Sequence, residues 1–242
     1  MGALFKFSNP NNLAPATLKQ HMLRQLVCSD APEQALRYRG HTSIAGIDEV
    51  GRGALFGPVV AAAVMLPKSL SSLAKAGLTD SKQLTREDRE RLDRKIRKMA
   101  LAISVAAVDA ETIDRVNIYQ ATRLAMLAAI EGLHIAPDHL LIDAMRLDHP
   151  CPQTRLFYGD ALSLSIAAAS VIAKVARDRA MDELAVLYPA YGLENHKGYG
   201  TPEHARALTL HGPCPIHRRT FKPIRERAYA AYVDSGGDRE LW

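Results

Sequence analysis

Apolar residues run through Ile44 to Val50 and again through Val59 to Leu66. Both runs are rich in β-branched side chains and are joined by a glycine-bearing turn, a pattern that predicts two neighbouring strands. After Thr85 the period changes: Leu92, Ile96 and Met99 recur at helical spacing among many charges, with Thr85 placed as cap and Asp88 at the third helical position. Leu101 to Val108 predicts a third strand, residues 111 to 132 a helix stopped by Gly132, His139 to Asp143 a fourth strand, and Arg155 to Tyr158 a short fifth. The segment ALSLSIAAASVIAKVARDRAMDEL then reads as a long helix. Its early turns are almost all Ala and Ser, which lets a backbone approach a sheet closely. Thr201 as cap, Pro202 at the first helical position and Gly212 followed by Pro213 delimit a last, short helix. Residues 1 to 40 carry Asn, Pro, Gln and scattered charge, with one modest helical stretch around Thr17 to Cys28. They read as an extension before a domain over 41–224 and a tail over 225–242. Strands first consecutive and then alternating with helices predict a mixed α/β sheet, helices packed on it, and a small helical C-terminal region.

A chain of 242 residues with 48% hydrophobic composition can bury a sizeable core in one large domain. No apolar stretch approaches the roughly 20 residues of a membrane-spanning helix, since the run at 54–67 is rich in Ala and broken by Gly57, Pro58 and Pro67. MGALFKFSNPNNLAP lacks the apolar core of a signal peptide. Cys28, Cys151 and Cys214 are odd in number and far apart, so neither a disulfide framework nor a CxxC knuckle is suggested, and a reducing cytoplasm is the expected home. The net charge of +5 and pI near 9.1 suit a polyanionic partner without identifying one.

Candidate chemistry concentrates where the strands end. In GIDEVGRGALFGPVV, Asp48 and Glu49 lie on opposite faces of a regular strand and converge on one site only if the strand is ending there. Gly51 and Gly53 permit backbone conformations closed to other residues and let a ligand approach the main chain, and Arg52 offers a cationic fork between them. Alone, such a pair reads more simply as a surface turn with a salt bridge. Asp143 closes the run LLID and Asp160 follows FYG at the start of the Ala/Ser helix; by themselves these read as a turn residue and a helix N-terminal charge. Brought together, the acids would repel one another unless cations neutralised them. Hard oxygen ligands without Cys or His favour Mg²⁺ or Mn²⁺ over zinc, ions that serve in-line displacement at phosphorus.

The motifs DEVGRG with GPVVAAAV, TDSKQL, LLID, GD before SIAAASVIAKVARDR, HKGYGT and GPCPIHRRTF, in that order from about Ile44 to Pro223, resemble bacterial ribonuclease HII. The resemblance implies a ribonuclease H-like fold with a five-stranded mixed sheet. It implies endonucleolytic cleavage of RNA in RNA/DNA hybrids, and of single ribonucleotides embedded in duplex DNA on their 5′ side, by two divalent ions, Mn²⁺ or Mg²⁺. By similarity, Asp48, Glu49, Asp143 and Asp160 are the metal-binding acids, and Gly51, Arg52 and Gly53 meet the ribonucleotide and the 2′-hydroxyl that only RNA carries. Tyr199 matches the family tyrosine that packs on the sugar of the following deoxynucleotide. Lys82 and Lys174 are candidate phosphate contacts within matched motifs, ahead of Arg177, His217, Arg218 and Arg219, although long basic side chains are more often simply solvated surface.

Two positions depart from the family pattern. Tyr158 stands where a lysine is common, which removes one potential cation beside Asp160, and Ala144 stands in LIDA for the frequent LIDG. A nucleic-acid-binding protein on the same fold and a nuclease without junction preference are the alternatives; the four intact acids argue against the first, Tyr199 with GRG against the second. The expected role is ribonucleotide excision repair and primer removal by a cytoplasmic monomer that needs no membrane. The resemblance leaves room for recruitment by a replication clamp through the C-terminal tail, but SGGDRELW carries no clear motif for it.

Overall fold

A computed structural model describes residues 26–226. The helical stretch expected around Thr17 to Cys28 lies outside them except for its last three residues, which are not helical, and the tail from 227 lies outside them altogether. The chain forms helix α1 (Ala31–Tyr38), strands β1 (Ile44–Val50) and β2 (Val59–Met65), helices α2 (Ser71–Lys75) and α3 (Arg86–Met99), and strand β3 (Ala102–Val108). Helices α4 (Ala110–Val116) and α5 (Ile118–Glu131), strands β4 (His139–Asp143) and β5 (Gln153–Leu156), and helices α6 (Leu164–Leu187), α7 (Leu193–His196) and α8 (Pro202–His211) follow. The strands make one mixed sheet in the order β3-β2-β1-β4-β5, antiparallel from β3 to β1 and parallel from β1 to β5.

The three central strands β2, β1 and β4 are buried on both faces, while the edge strands β3 and β5 are partly exposed. Ala45, Ile47, Leu140 and Ile142 pack with Ala121, Ala125 and Ala129 of α5 on one side. Ala62 and Val64 pack with Ala168, Val171 and Ile172 of α6 and with Leu92 and Ile96 of α3 on the other. The Ala/Ser turns of α6 explain how it lies so near β1. Gly46 sits directly beneath it, and a Cβ built there would be 2.2 Å from the backbone carbonyl carbon of Ser165. Among the described residues, no helix is long and apolar enough to cross a membrane.

Sequence periodicity located the long elements and missed local breaks. The helix expected over 111–132 is two helices, because Asn117 adopts φ 68° and its side-chain oxygen accepts the Gln120 amide, capping α5. Asn tolerates left-handed backbone and caps well, so it breaks the helix without interrupting the apolar pattern. The fifth strand lies at Gln153–Leu156 rather than Arg155 to Tyr158. The ladder ends where Leu156 pairs Asp143, and Tyr158 turns left-handed at φ 58°. Helix α1 was not foreseen within the N-terminal extension. Its Glu33 is fully buried and accepts the Ser163 hydroxyl at 2.6 Å and the Ser165 amide at 2.8 Å, so this carboxylate sits on the N-terminus of α6, where the dipole favours negative charge.

Candidate active site

Neighbouring parallel strands place two of the acids. In the β1–β4 register Gly46 pairs Leu141 and Ile47 pairs Ile142, so Asp48 and Asp143 leave the ends of adjacent strands on the face covered by α6. Glu49 joins them, and one ligand oxygen from each of Asp48, Glu49 and Asp143 lies within 4.8 Å of the others. Asp160 stands just outside this trio, in the turn Gly159–Ala161 that leads into α6, and is buried. The Gly159 amide donates to Asp143 Oδ1 at 2.7 Å, which ties the Asp160 turn to the trio.

The four acids, the Gly51–Gly53 turn, Tyr199, Lys82 and Lys174 make ten candidates, and nine of them line one open cleft of about 530 Å³. Asp160 is the exception. Gly51 has φ +91°, and a Cβ there would meet the Arg177 guanidinium, so the turn requires glycine. Gly53 departs from expectation. Its φ lies outside the left-handed region and nothing stands within 4 Å of where its Cβ would be, so its value is open space at the cleft wall.

Electrostatics shows why the trio needs a cation. Burial pushes Asp48 well above the usual carboxylate range, with Glu49, Asp143 and Asp160 adding to the rise and a Ser170 hydrogen bond opposing it. Burial likewise raises Glu49 against the pull of Arg52, whose Nη1 lies 3.3 Å from Glu49 Oε1, and raises Asp143 against its Gly159 hydrogen bond. Burial brings Asp160 up to about 6, with Lys82 opposing and Asp80 and Asp143 adding. Lys82 Nζ is 3.3 Å from Asp160 Oδ2 and 3.8 Å from Asp80 Oδ1. Burial works against the Lys82 ammonium, but Asp160, Asp80 and Asp48 hold its pKa above the ordinary value. Lys82 therefore supplies a cation beside Asp160, where Tyr158 offers none. Lys174 is held by Asp178, with Nζ 2.7 Å from Oδ2. An all-carboxylate, partly buried donor set fits a hard divalent cation.

Sequence reasoning missed Ser81, Ser170 and Arg89, which also line the cleft. The Ser81 and Ser170 hydroxyls are 2.8 Å apart and share a hydrogen bond. Ser170 is a polar residue on the sheet-facing side of an Ala-rich helix, the one signal that could have found it. Three of the basic residues expected to reach phosphates do not: Arg177, His217 and Arg218 are fully buried. Arg177 donates to the carbonyls of Pro58, Lys197 and Phe56, and its guanidinium carbon lies 5.4 Å from the centre of the Tyr199 ring. Arg218 donates to the carbonyls of Gly57 and Arg52.

A buried histidine relay supports Tyr199 from behind. His204 Nδ1 is 3.0 Å from the Tyr199 carbonyl and must donate to it, so Nε2 accepts from His217 Nε2 at 3.1 Å, while His217 Nδ1 accepts the Cys214 amide. Both rings are neutral in this arrangement. Burial pushes His217 down to about 4, helped by His204, and lowers His204 as well. A depressed histidine leaves its full stability contribution in place above about 6.5, the unfolded value, and loses it as pH falls from there toward the folded value. The His217 Cε1 proton is expected to hold its neutral NMR shift down to pH 5; a titration centred near 6.5 would refute the relay.

Ala144, the residue after Asp143, has φ 47°, and its amide donates to the Leu156 carbonyl. A non-glycine residue in this region is strained by roughly 1–2 kcal/mol, partly offset by the entropy glycine would lose on folding. Ala144→Gly is therefore expected to stabilise by about 0.5–1 kcal/mol and raise the melting temperature by about 1–4 °C. A lower melting temperature in a thermal scan would contradict it.

A five-stranded mixed sheet with acids at the ends of its adjacent parallel strands, covered by a long helix, defines a ribonuclease H-like hydrolase. The ribonuclease HII family model matches residues 45–224, and the chain belongs to that family. Ribonuclease HII of Enterococcus faecalis (strain ATCC 700802 / V583) is 56% identical over 194 residues, covering 80% of this chain and 75% of its own length. The Koribacter versatilis (strain Ellin345) ribonuclease HII is 52% identical over 212 residues, covering 88% and 82%. Among solved structures, ribonuclease H2 from Pyrococcus horikoshii OT3 superposes with a TM-score of 0.68 at 28% identity, over 78% of this chain and 98% of that one. RNase HII in its complex with PCNA from Archaeoglobus fulgidus gives 0.64 at 27%, over 74% and 95%. Bst-RNase HIII in complex with Mn²⁺ shares the fold, with a TM-score of 0.59 at 20% identity, over 87% and 73%. The protein is thus a ribonuclease H endonuclease that degrades the RNA of RNA/DNA hybrids.

Proposed function

We propose that the enzyme cuts on the 5′ side of a ribonucleotide embedded in duplex DNA, leaving 3′-hydroxyl and 5′-phosphate ends, and so serves ribonucleotide excision and primer removal. The observation that carries this reading is that Tyr199 and the Gly51–Gly53 turn line the same cleft as Asp48, Glu49 and Asp143. A group able to meet a 2′-hydroxyl and a ring able to pack on a deoxyribose thus flank the acids, as an RNA to DNA step would require. Asp48, Glu49 and Asp143, with Asp160 beside them, would hold Mg²⁺ or Mn²⁺, two ions in all, which would supply activation of a water as nucleophile and charge stabilisation at the departing 3′ oxygen. The residues around them position the strand. Arg52 stands exposed at the cleft edge, and Lys82 and Lys174 offer ammonium groups to backbone phosphates once these displace their carboxylate partners. A clamp contact, by analogy with the Archaeoglobus complex, would fall to the tail at 225–242, and the working unit is a monomer.

The test is cleavage of a DNA duplex holding one ribonucleotide, with Mg²⁺ or Mn²⁺ against a chelated control, mapped to the nucleotide. A cut 5′ to the ribonucleotide is expected; binding without a cut in either metal would overturn this reading and leave the enzyme its activity on continuous RNA/DNA hybrids. Tyr199→Ala is expected to reduce the preference for a single ribonucleotide over a continuous hybrid by about tenfold, the scale of one lost stacking contact. Equal losses on both substrates would contradict the assignment.

A further inference from the structure

Two fully buried guanidiniums lie directly behind the substrate-facing turn, and among the described residues neither has a carboxylate within 4.0 Å. Every hydrogen bond they make goes to a main-chain carbonyl. Among the described residues Nη2 of Arg218 is buried with no hydrogen-bond partner, and its guanidinium carbon lies 5.1 Å from the centre of the Phe221 ring. Burying an uncompensated cation is costly, and an apolar side chain of similar volume would pack the same space without that penalty. The particular carbonyls they hold give the arrangement its meaning. Arg218 Nη1 donates to the Arg52 carbonyl at 2.9 Å and Nε to the Gly57 carbonyl at 3.0 Å, which grips the turn at both ends. A trans peptide is planar, with C=O and N–H pointing in opposite directions. The Arg52 carbonyl faces inward to Arg218, so the Gly53 N–H of the same peptide faces outward. Gly53 lines the cleft, its surroundings are open, and its amide donates to no acceptor among the described residues.

We propose that Arg218 is a positioning residue that fixes the Arg52–Gly53 peptide with its N–H toward the cleft, and thereby sets the enzyme's preference for a ribonucleotide. The inference rests on the reading above that the Gly51–Gly53 turn meets the ribonucleotide. Arg177 extends the same brace: it holds the Phe56 and Pro58 carbonyls on one side and the Lys197 carbonyl on the other, two residues from Tyr199. The turn and the tyrosine are thus set relative to one another by side chains that touch no substrate.

The experiment measures, without divalent ion, the affinity of the full chain for a duplex holding one ribonucleotide and for the same duplex all in DNA. In Arg218→Met the ratio of the two affinities is expected to fall at least tenfold while the all-DNA affinity is kept, and Arg218→Lys, which retains one donor, is expected to recover part of the loss. An unchanged ratio, or equal loss on both duplexes, is what a merely structural arginine would give and would overturn the proposal. Amide hydrogen exchange on the unaltered protein decides the matter even if the Met variant does not fold. The Gly53 amide is expected to exchange freely in the unbound protein and to become protected by the ribonucleotide duplex alone; protection in the unbound protein would show it pointing inward and overturn the proposal. An unaltered protein that shows no ribonucleotide preference would instead defeat the functional reading, and free exchange at Gly53 would still establish how the peptide is oriented.

Discussion

Asp48→Asn is expected to lower turnover by about a thousandfold or more while raising the melting temperature of the metal-free protein. The two effects share one cause. Asp48 is buried, and burial with the nearby charges of Glu49, Asp143 and Asp160 disfavours its ionised form. At neutral pH the metal-free protein holds these carboxylates against their own repulsion. Asparagine keeps the shape and removes the charge, so a gain of about 1 kcal/mol, or roughly 2–4 °C for a domain of this size, is expected. Divalent ions should act in the same sense on the native protein. A concentration a hundredfold above Kd stabilises by about 2.7 kcal/mol, and the variant should show much less of that gain. The pH dependence follows from Asp160, raised to about 6 from 3.8. Its contribution to metal-free stability is full below 3.8 and is lost as pH rises through about 6, so the melting-temperature gain from Mn²⁺ should shrink as pH falls through that range. Normal turnover in the variant, or an equal Mn²⁺ gain in both proteins, would remove Asp48 from the site.

Gly46→Ala is expected to cost more than about 3 kcal/mol, the range of severe core clashes, and to leave little folded protein at 37 °C. The added Cβ would lie 2.2 Å from the carbonyl carbon and oxygen of Ser165 and 2.6 Å from the Ile166 nitrogen. These are backbone atoms of the first turn of α6, which cannot swing aside as a side chain can. That turn is also held by Glu33 through Ser163 and Ser165, so relief requires lifting the whole helix from β1. Two residues along the same face of β1 stands Asp48, and on α6 stands Ser170, which donates to it. Any surviving fold should therefore lose metal affinity as well. A urea midpoint close to that of the native protein would show that the helix and strand are less tightly apposed than the structure has them.

What could be read in advance was chemistry that is local in the chain. The caps Thr85 and Thr201 do what their spacing predicts, each accepting an amide three residues on. Strands β1 and β4 were legible because their apolar runs end in acids, and those acids meet because the strands are neighbours. What stayed hidden was burial and long-range pairing. Arg177 and Arg218 look in sequence like any surface cation, and only the packed turn shows that their partners are carbonyls. Glu33 reads as an ordinary first-turn acid of an unremarked segment, yet it is fully buried at the start of α6, well over a hundred residues later. Asp80, whose carboxylate neighbours Asp160, drew no notice because TDSKQL has no run of apolar residues to place it at a strand end.

The parallel pairing of β1 with β4 has a consequence for the protein during its own synthesis. Asp48 and Glu49 leave the ribosome early, but Asp143 follows only after β2, β3 and the four helices α2 to α5, and no hairpin can bring it to β1. Parallel partners must wait for a crossover, and contacts this distant in sequence form late. A nascent chain that has completed its first hairpin therefore has half of its cation site and no hydrolytic capacity. A nuclease assembled this way cannot act on nearby nucleic acid until most of its fold is committed.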